Sequence, residues 1–235
     1  ARSVEDMRQA HAGLGLPWVN TLAADRHGRV LYADVSVVPD VDAAQLERCT
    51  PSKPAAALRM AAGLVVLKGA RADCAWQQDR RSPVPGLIPI ERMPIALRTD
   101  WVHNSNDSFF YTHPAQKFEG ISPLVGDARL TRPSTRAGLA EIPEMLGRGK
   151  VTLQGMQEQL FQNRNFMASV IVPDLRAACA QAPSNEAREG CAALQGWNLR
   201  NEVDARGAHV FREFWRNARN IPGVYRVPFD SQEPV

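Results

Sequence analysis

Trp18-Val19-Asn20-Thr21-Leu22-Ala23-Ala24-Asp25, then Arg26-His27-Gly28-Arg29, then Val30-Leu31-Tyr32-Ala33-Asp34-Val35: this stretch decides how the rest of the chain is read. Two runs of β-branched, aromatic and aliphatic residues flank four turn formers that include a glycine, which is the pattern of a hairpin. The runs are nearly continuous in apolar character and do not alternate, so both faces of the strands are expected to be covered.

Working outward, Ser3 with Asp6 approximates a capping box. Val4, Met7, Ala10 and His11 make a short helical stripe, which Gly13, Gly15 and Pro17 close. After the hairpin, Pro39 to about Pro89 is rich in Pro, Ala and Arg. It reads as an irregular surface lobe with one helical patch near Ala55 to Val66. The apolar run Met93 to Leu97 then leads into Trp101-Val102-His103-Asn104-Ser105-Asn106-Asp107-Ser108-Phe109-Phe110-Tyr111. That stretch predicts a strand that places amides and hydroxyls at the rim of a core. Two readings of it stand side by side. One is an Asx-type turn; the other is a carboxamide held rigidly to donate N–H to an oxyanion.

From about Thr135 the periodicity is helical. Ala137 to Leu146 predicts one helix, interrupted by Pro143. Thr152 opens a longer one through Leu153, Met156, Leu160, Phe161 and Met167, and Pro173 begins another that carries Cys179. Asn185 to Trp197 carries Cys191, and His209 to Ala218 is amphipathic, with Val210, Phe211, Phe214 and Trp215 on its apolar side. The fold class is therefore α+β. Residues 1–134 form a sheet-building part with an excursion at about 40–90, and 135–235 form a mainly helical part.

Composition excludes several classes. The 235 residues are 44% hydrophobic and 23% charged, as in ordinary globular proteins. The net charge is +3 and the arginines are scattered, so no nucleic-acid partner is indicated. No run reaches the roughly 18–20 apolar residues of a membrane span. The opening Ala1-Arg2-Ser3-Val4-Glu5-Asp6 has no signal-peptide character, so the chain is expected to be cytosolic or separated from its targeting segment. The four cysteines fall into two local pairs, Cys49 with Cys74 and Cys179 with Cys191. Two disulfides in that pairing, each contributing roughly 3 kcal/mol, are expected in a periplasmic or extracellular protein; four reduced, buried thiols are the alternative. No zinc spacing and no calcium-loop pattern is present, so Asp25, Asp34, Asp40 and Asp42 read as turn and cap residues and no metal or cofactor is expected. His103 and His113 flank the polar stretch and read as structural histidines.

Gly15 to Asp25, the returning Leu31-Tyr32-Ala33-Asp34, and Asn104-Ser105-Asn106-Asp107-Ser108 together resemble the β subunit of the penicillin acylase family, in particular its acyl-homoserine-lactone and aculeacin acylases. The resemblance covers nearly the whole chain and is weakest from about Thr50 to Pro89. It implies an N-terminal-nucleophile hydrolase with an αββα sandwich, of which this chain is an internal part. A terminal serine outside the chain would attack the amide carbonyl, with its α-amine as base. The partners implied are the remaining α- and β-subunit segments of the precursor and an N-acyl small molecule; the chain alone is expected not to turn over substrate. Asn106 falls on the family's oxyanion asparagine, Asn104 is its structural neighbour, and Trp18 falls on an indole lining the acyl pocket. The family's active-site arginine is replaced by Ser134, which leaves Arg132 and Arg136 as candidates to reach the same spot. A non-catalytic secreted binding or scaffold domain of the same ancestry is the alternative.

Overall fold

The structure is a computed structural model, and it describes residues 1–15, 19–128, 132–224 and 227–235. The chain divides into two compact units, Ala1–Leu130 and Thr131–Val235. Among the described residues there are one antiparallel three-stranded sheet and eight α-helices, so the fold mixes helix and sheet.

The first unit is built on the hairpin. β1 (Asn20–Ala24) and β2 (Val30–Asp34) pair with Asn20 opposite Asp34 and Ala24 opposite Val30. The turn forms because Asp25 Oδ1 accepts from the amides of His27 (2.9 Å) and Arg29 (3.2 Å), while Gly28 takes a φ of +77° that suits glycine. β3 (Ile95–Arg98) pairs with the free side of β2, giving the order β1-β2-β3.

Alternation in β2 sends Leu31 and Ala33 to one face and Tyr32 to the other. Leu31, Ala33 and Val35 pack with Val4, Ile88, Ile90 and Met93; Tyr32 and Ala96 pack with Phe109, backed by Phe118 and Ile121. Both faces of β2 are thus covered. The expectation fails for β1, an edge strand on which Leu22 is 46% exposed.

α1 (Val4–His11) is capped by Ser3, whose hydroxyl accepts from the Asp6 amide. The excursion is more ordered than its composition predicts. Asp42 caps an unforeseen helix, α2 (Ala43–Cys49), whose Leu46 and Cys49 are fully buried. α3 (Lys53–Ala62) follows, capped by Ser52 and ended by Gly63 at φ +69°. The Cys49–Cys74 disulfide, with Cα atoms 5.7 Å apart, ties α2 to a 3-10 turn at Ala72–Cys74.

The second unit is helical. α4 (Pro133–Gly147) runs through Pro143. The long helix expected from Thr152 is two. α5 (Leu153–Phe161) is capped by Thr152, and α6 (Phe166–Ala178) restarts at the Asn165 cap after Asn163, which has a φ of +50°. α6 then continues through Pro173, where a helix start was expected. α7 (Asn185–Gln195) and α8 (Arg206–Ala218) complete the unit. Ala168, Val172, Leu194, Trp197 and Phe211 form its core. The Cys179–Cys191 disulfide joins the end of α6 to α7.

Candidate active site

The stretch expected to be a polar strand is a loop. β3 ends at Arg98, and the next regular element is a 3-10 turn at Phe109–Tyr111. The run of small polar side chains explains the correction, because they satisfy backbone groups locally and leave no ladder to propagate. The loop is closed at its base, where the His103 amide donates to the Thr112 carbonyl at 3.0 Å. The buried His103 ring braces it from within: Nδ1 lies 3.4 Å from the Tyr111 carbonyl and Nε2 lies 2.9 Å from the Ser105 hydroxyl. A carbonyl can only accept, so Nδ1 carries the proton and Nε2 accepts from Ser105. Burial lowers the His103 pKa, in keeping with a neutral ring.

Inside the loop, Asn104 Oδ1 accepts from the Asn106 amide at 2.8 Å, and Asn104 Nδ2 donates to the Asp107 carbonyl at 3.0 Å. The first bond is an Asx turn. It holds Asn106 at φ +59°, a left-handed conformation that asparagine tolerates better than most residues. On the far side, the Ser108 hydroxyl donates to the Asp127 carbonyl at 2.7 Å, and Phe109 is buried against the sheet. The Asn106 residue is exposed, and its carboxamide makes no hydrogen bond among the described residues.

The floor beneath the loop is Tyr32. Its ring is fully buried and packs with Phe109, and its hydroxyl donates to Asn20 Oδ1 at 2.7 Å. Burial, with the charge of nearby Asp34 adding to it, pushes the phenol well above its ordinary pKa. Asp34 stands opposite Asn20 at the sheet end, half-buried, and burial raises its carboxyl pKa as well. Asp34 is therefore neither a turn nor a cap residue, unlike Asp25 and Asp42; Asp40 instead pairs with Arg92 at 2.7 Å.

His113 is also committed to structure. Its Nδ1 accepts from the Ala115 amide at 3.0 Å, so Nε2 bears the proton toward Asp100 Oδ2 at 3.2 Å. Trp101 lies over the ring at 4.2 Å, and burial followed by the charge of Arg98 lowers the His113 pKa. No group of three His, Cys, Asp or Glu suited to a metal occurs among the described residues. No helix among them is long and apolar enough to cross a membrane.

Of the other residues singled out from sequence, Trp18 lies outside the described residues. Arg132 is the N-cap of α4, Ser134 is exposed in that helix's first turn, and the Arg136 guanidinium lies 4.6 Å from the centre of the Phe229 ring; all belong to the second unit. Cys49, Cys74, Cys179 and Cys191 form the two local disulfides. Sequence reasoning passed over Tyr32 and Asn20. The available signal was a tyrosine in the middle of an apolar strand, since a buried phenol requires a partner.

The penicillin amidase family profile matches residues 1–224, and the chain belongs to that family. It is 36% identical over 226 residues to the acyl-homoserine lactone acylase PvdQ of Pseudomonas syringae pv. syringae (strain B728a), covering 94% of this chain and 28% of that protein. It is 38% identical over 236 residues to the aculeacin-A acylase of Actinoplanes utahensis, covering 94% of this chain and 30% of that one. The PvdQ of Pseudomonas fluorescens (strain Pf0-1) is 33% identical over 236 residues, with 99% and 30% covered. The chain thus spans under a third of the length of these relatives.

Proposed function

We propose that this chain is part of the β subunit of an amidohydrolase that cleaves N-acyl amides, with Asn106 donating one hydrogen bond to the oxyanion. One observation carries the reading. In a penicillin amidase family chain, the backbone of an asparagine is fixed in a left-handed conformation while both N–H donors of its carboxamide are uncommitted among the described residues. A donor set in place before reaction stabilises developing charge without reorganisation, and loss of one typically costs about 10²–10³ in rate.

In this reading the nucleophile is a serine at a β-subunit N-terminus supplied by another part of the precursor. Its oxygen adds to the amide carbon, and the carbonyl electrons move onto oxygen, where Asn106 Nδ2–H meets them. Collapse breaks the C–N bond, and the amine leaves with the proton taken from the serine through the α-amine. Water then splits the acyl ester, which releases the carboxylic acid and restores the serine. The three-stranded sheet would belong to the αββα sandwich of such hydrolases, and Trp18 would line the acyl pocket. Arg132 or Arg136 would serve where the family arginine is missing at Ser134. The two disulfides favour an exported, oxidising compartment. The names of the relatives suggest acyl-homoserine lactones or lipopeptides as substrates.

The test is turnover by the full-length, matured protein on N-acyl-homoserine lactones of graded chain length and on an N-acyl lipopeptide. Equimolar release of fatty acid and amine is expected from at least one of them. A correctly processed protein that releases neither product from any of them would refute the proposal and leave the scaffold role.

A further inference from the structure

The most informative group outside the reacting atoms is the buried phenol of Tyr32. It sits on the central strand and touches both segments that carry candidate site residues. Its hydroxyl holds Asn20, two residues beyond Trp18, at 2.7 Å, and its ring packs with Phe109 at the end of the polar loop. Asn104 in turn holds the Asn106 amide at 2.8 Å and the Asp107 carbonyl at 3.0 Å. These groups are the means by which the sheet fixes the backbone of residue 106. Asn106 is itself exposed and its carboxamide makes no hydrogen bond among the described residues, so what these groups set is the backbone from which it projects.

The geometry points to Tyr32 and Asn104 as positioning residues: Tyr32, held in place by Asn20, seats the loop on the sheet through Phe109, and Asn104 imposes the left-handed turn from which the Asn106 carboxamide projects. This rests on Asn106 being the oxyanion donor. Neither residue touches substrate. Each acts on the rate through Asn106, because a donor displaced by about 1 Å loses much of its effect on the transition state.

The experiment uses the full-length precursor, matured and assayed on an N-acyl-homoserine lactone. The variants are Asn104→Ala, Asn104→Asp and Tyr32→Phe, each made alone and again with Asn106→Gly. Glycine adopts the left-handed conformation unaided and has no carboxamide to aim. Alone, Asn104→Ala is expected to lower kcat by about 10- to 100-fold with KM changed less than threefold. Asn104→Asp keeps the Oδ1 acceptor and is expected to recover part of that loss. Tyr32→Phe keeps the ring and is expected to lower kcat in the same sense by a smaller factor. On the Asn106→Gly background none of the three should lower kcat further, since nothing is left to orient.

Losses that multiply with that of Asn106→Gly would overturn the inference, because the residues would then act independently of the donor. So would an unchanged kcat in both Asn104→Ala and Tyr32→Phe. If Asn104→Ala yields no processed enzyme, Tyr32→Phe decides on the same two readouts. If Asn106→Gly alone leaves kcat intact, the oxyanion assignment itself fails, and this inference falls with it. A fall in Asn106→Gly without one in the other variants removes only the positioning role.

Discussion

At the scale of single residues, close packing sets sharp limits in the helical unit. Gly207, in the first turn of α8, is buried against Trp197, and a Cβ there would come within 2.9 Å of the Ala193 carbonyl and closer still to the indole. Trp197 has little room to yield, because it is 6% exposed and its Nε1 donates to the Arg200 carbonyl at 2.8 Å. Gly207→Ala is therefore predicted to destabilise by about 1–3 kcal/mol through overpacking, read as a lower urea midpoint of the full-length protein. Gly190 in α7 gives the contrast. A Cβ there meets Val210 Cγ1 at 3.7 Å, an ordinary contact, so Gly190→Ala should be neutral or stabilise by up to about 1 kcal/mol from helix propensity. Equal effects of the two substitutions would contradict the packing described for Trp197.

At the scale of elements, the two disulfides close short loops across helix ends. Removing the Cys179–Cys191 link by a paired change to serine is predicted to cost roughly 3 kcal/mol in the chain-entropy picture, measured as a lower midpoint of denaturation. Reduction should add two hydrogens to the mass for each of these two disulfides; four free thiols beforehand would refute both links. Elements with a local cause were legible in the sequence. The hairpin was announced by Gly28 and its flanking apolar runs, α1 by Ser3, α5 by Thr152, and α8 by its apolar stripe. Elements decided by tertiary context were not. α2 escaped because Ala43 to Cys49 is short and its buried residues are needed only once the Cys49–Cys74 link and the core form. Pro173 looked like a helix start, yet α6 carries it inside, where packing of Val172 in the core outweighs the lost backbone bond. The polar stretch was legible as chemistry and as an Asx turn, which the Asn104–Asn106 bond forms, while the strand expected to carry it is absent. Asn104 and Asn106 stood out, but amides bonding amides of their own loop gave a closed turn in place of a strand.

At the scale of the whole molecule, three histidines make stability depend on acidity. His11, His103 and His113 are all buried, and in each burial is the main cause of a pKa lowered from the ordinary value of about 6.5. Below that value the unfolded chain binds protons that the folded rings resist. Their contribution is thus intact above pH 6.5 and falls as pH drops toward the lowered folded values. Asp34 and Glu141 carry the opposite sign, since burial raises both carboxyls; their neutral forms are favoured at the acid end, nearer pH 4. The Tm of the full-length protein should accordingly decline between pH 7.5 and 5.5, with a shallower decline in His103→Gln; a flat profile would contradict the neutral assignments. The central claim concerns Asn106, and the most direct test is kcat of the matured full-length enzyme with Asn106→Ala and Asn106→Gly. The account predicts a loss of about 10²–10³ in both with processing intact, whereas wild-type turnover in either would contradict it.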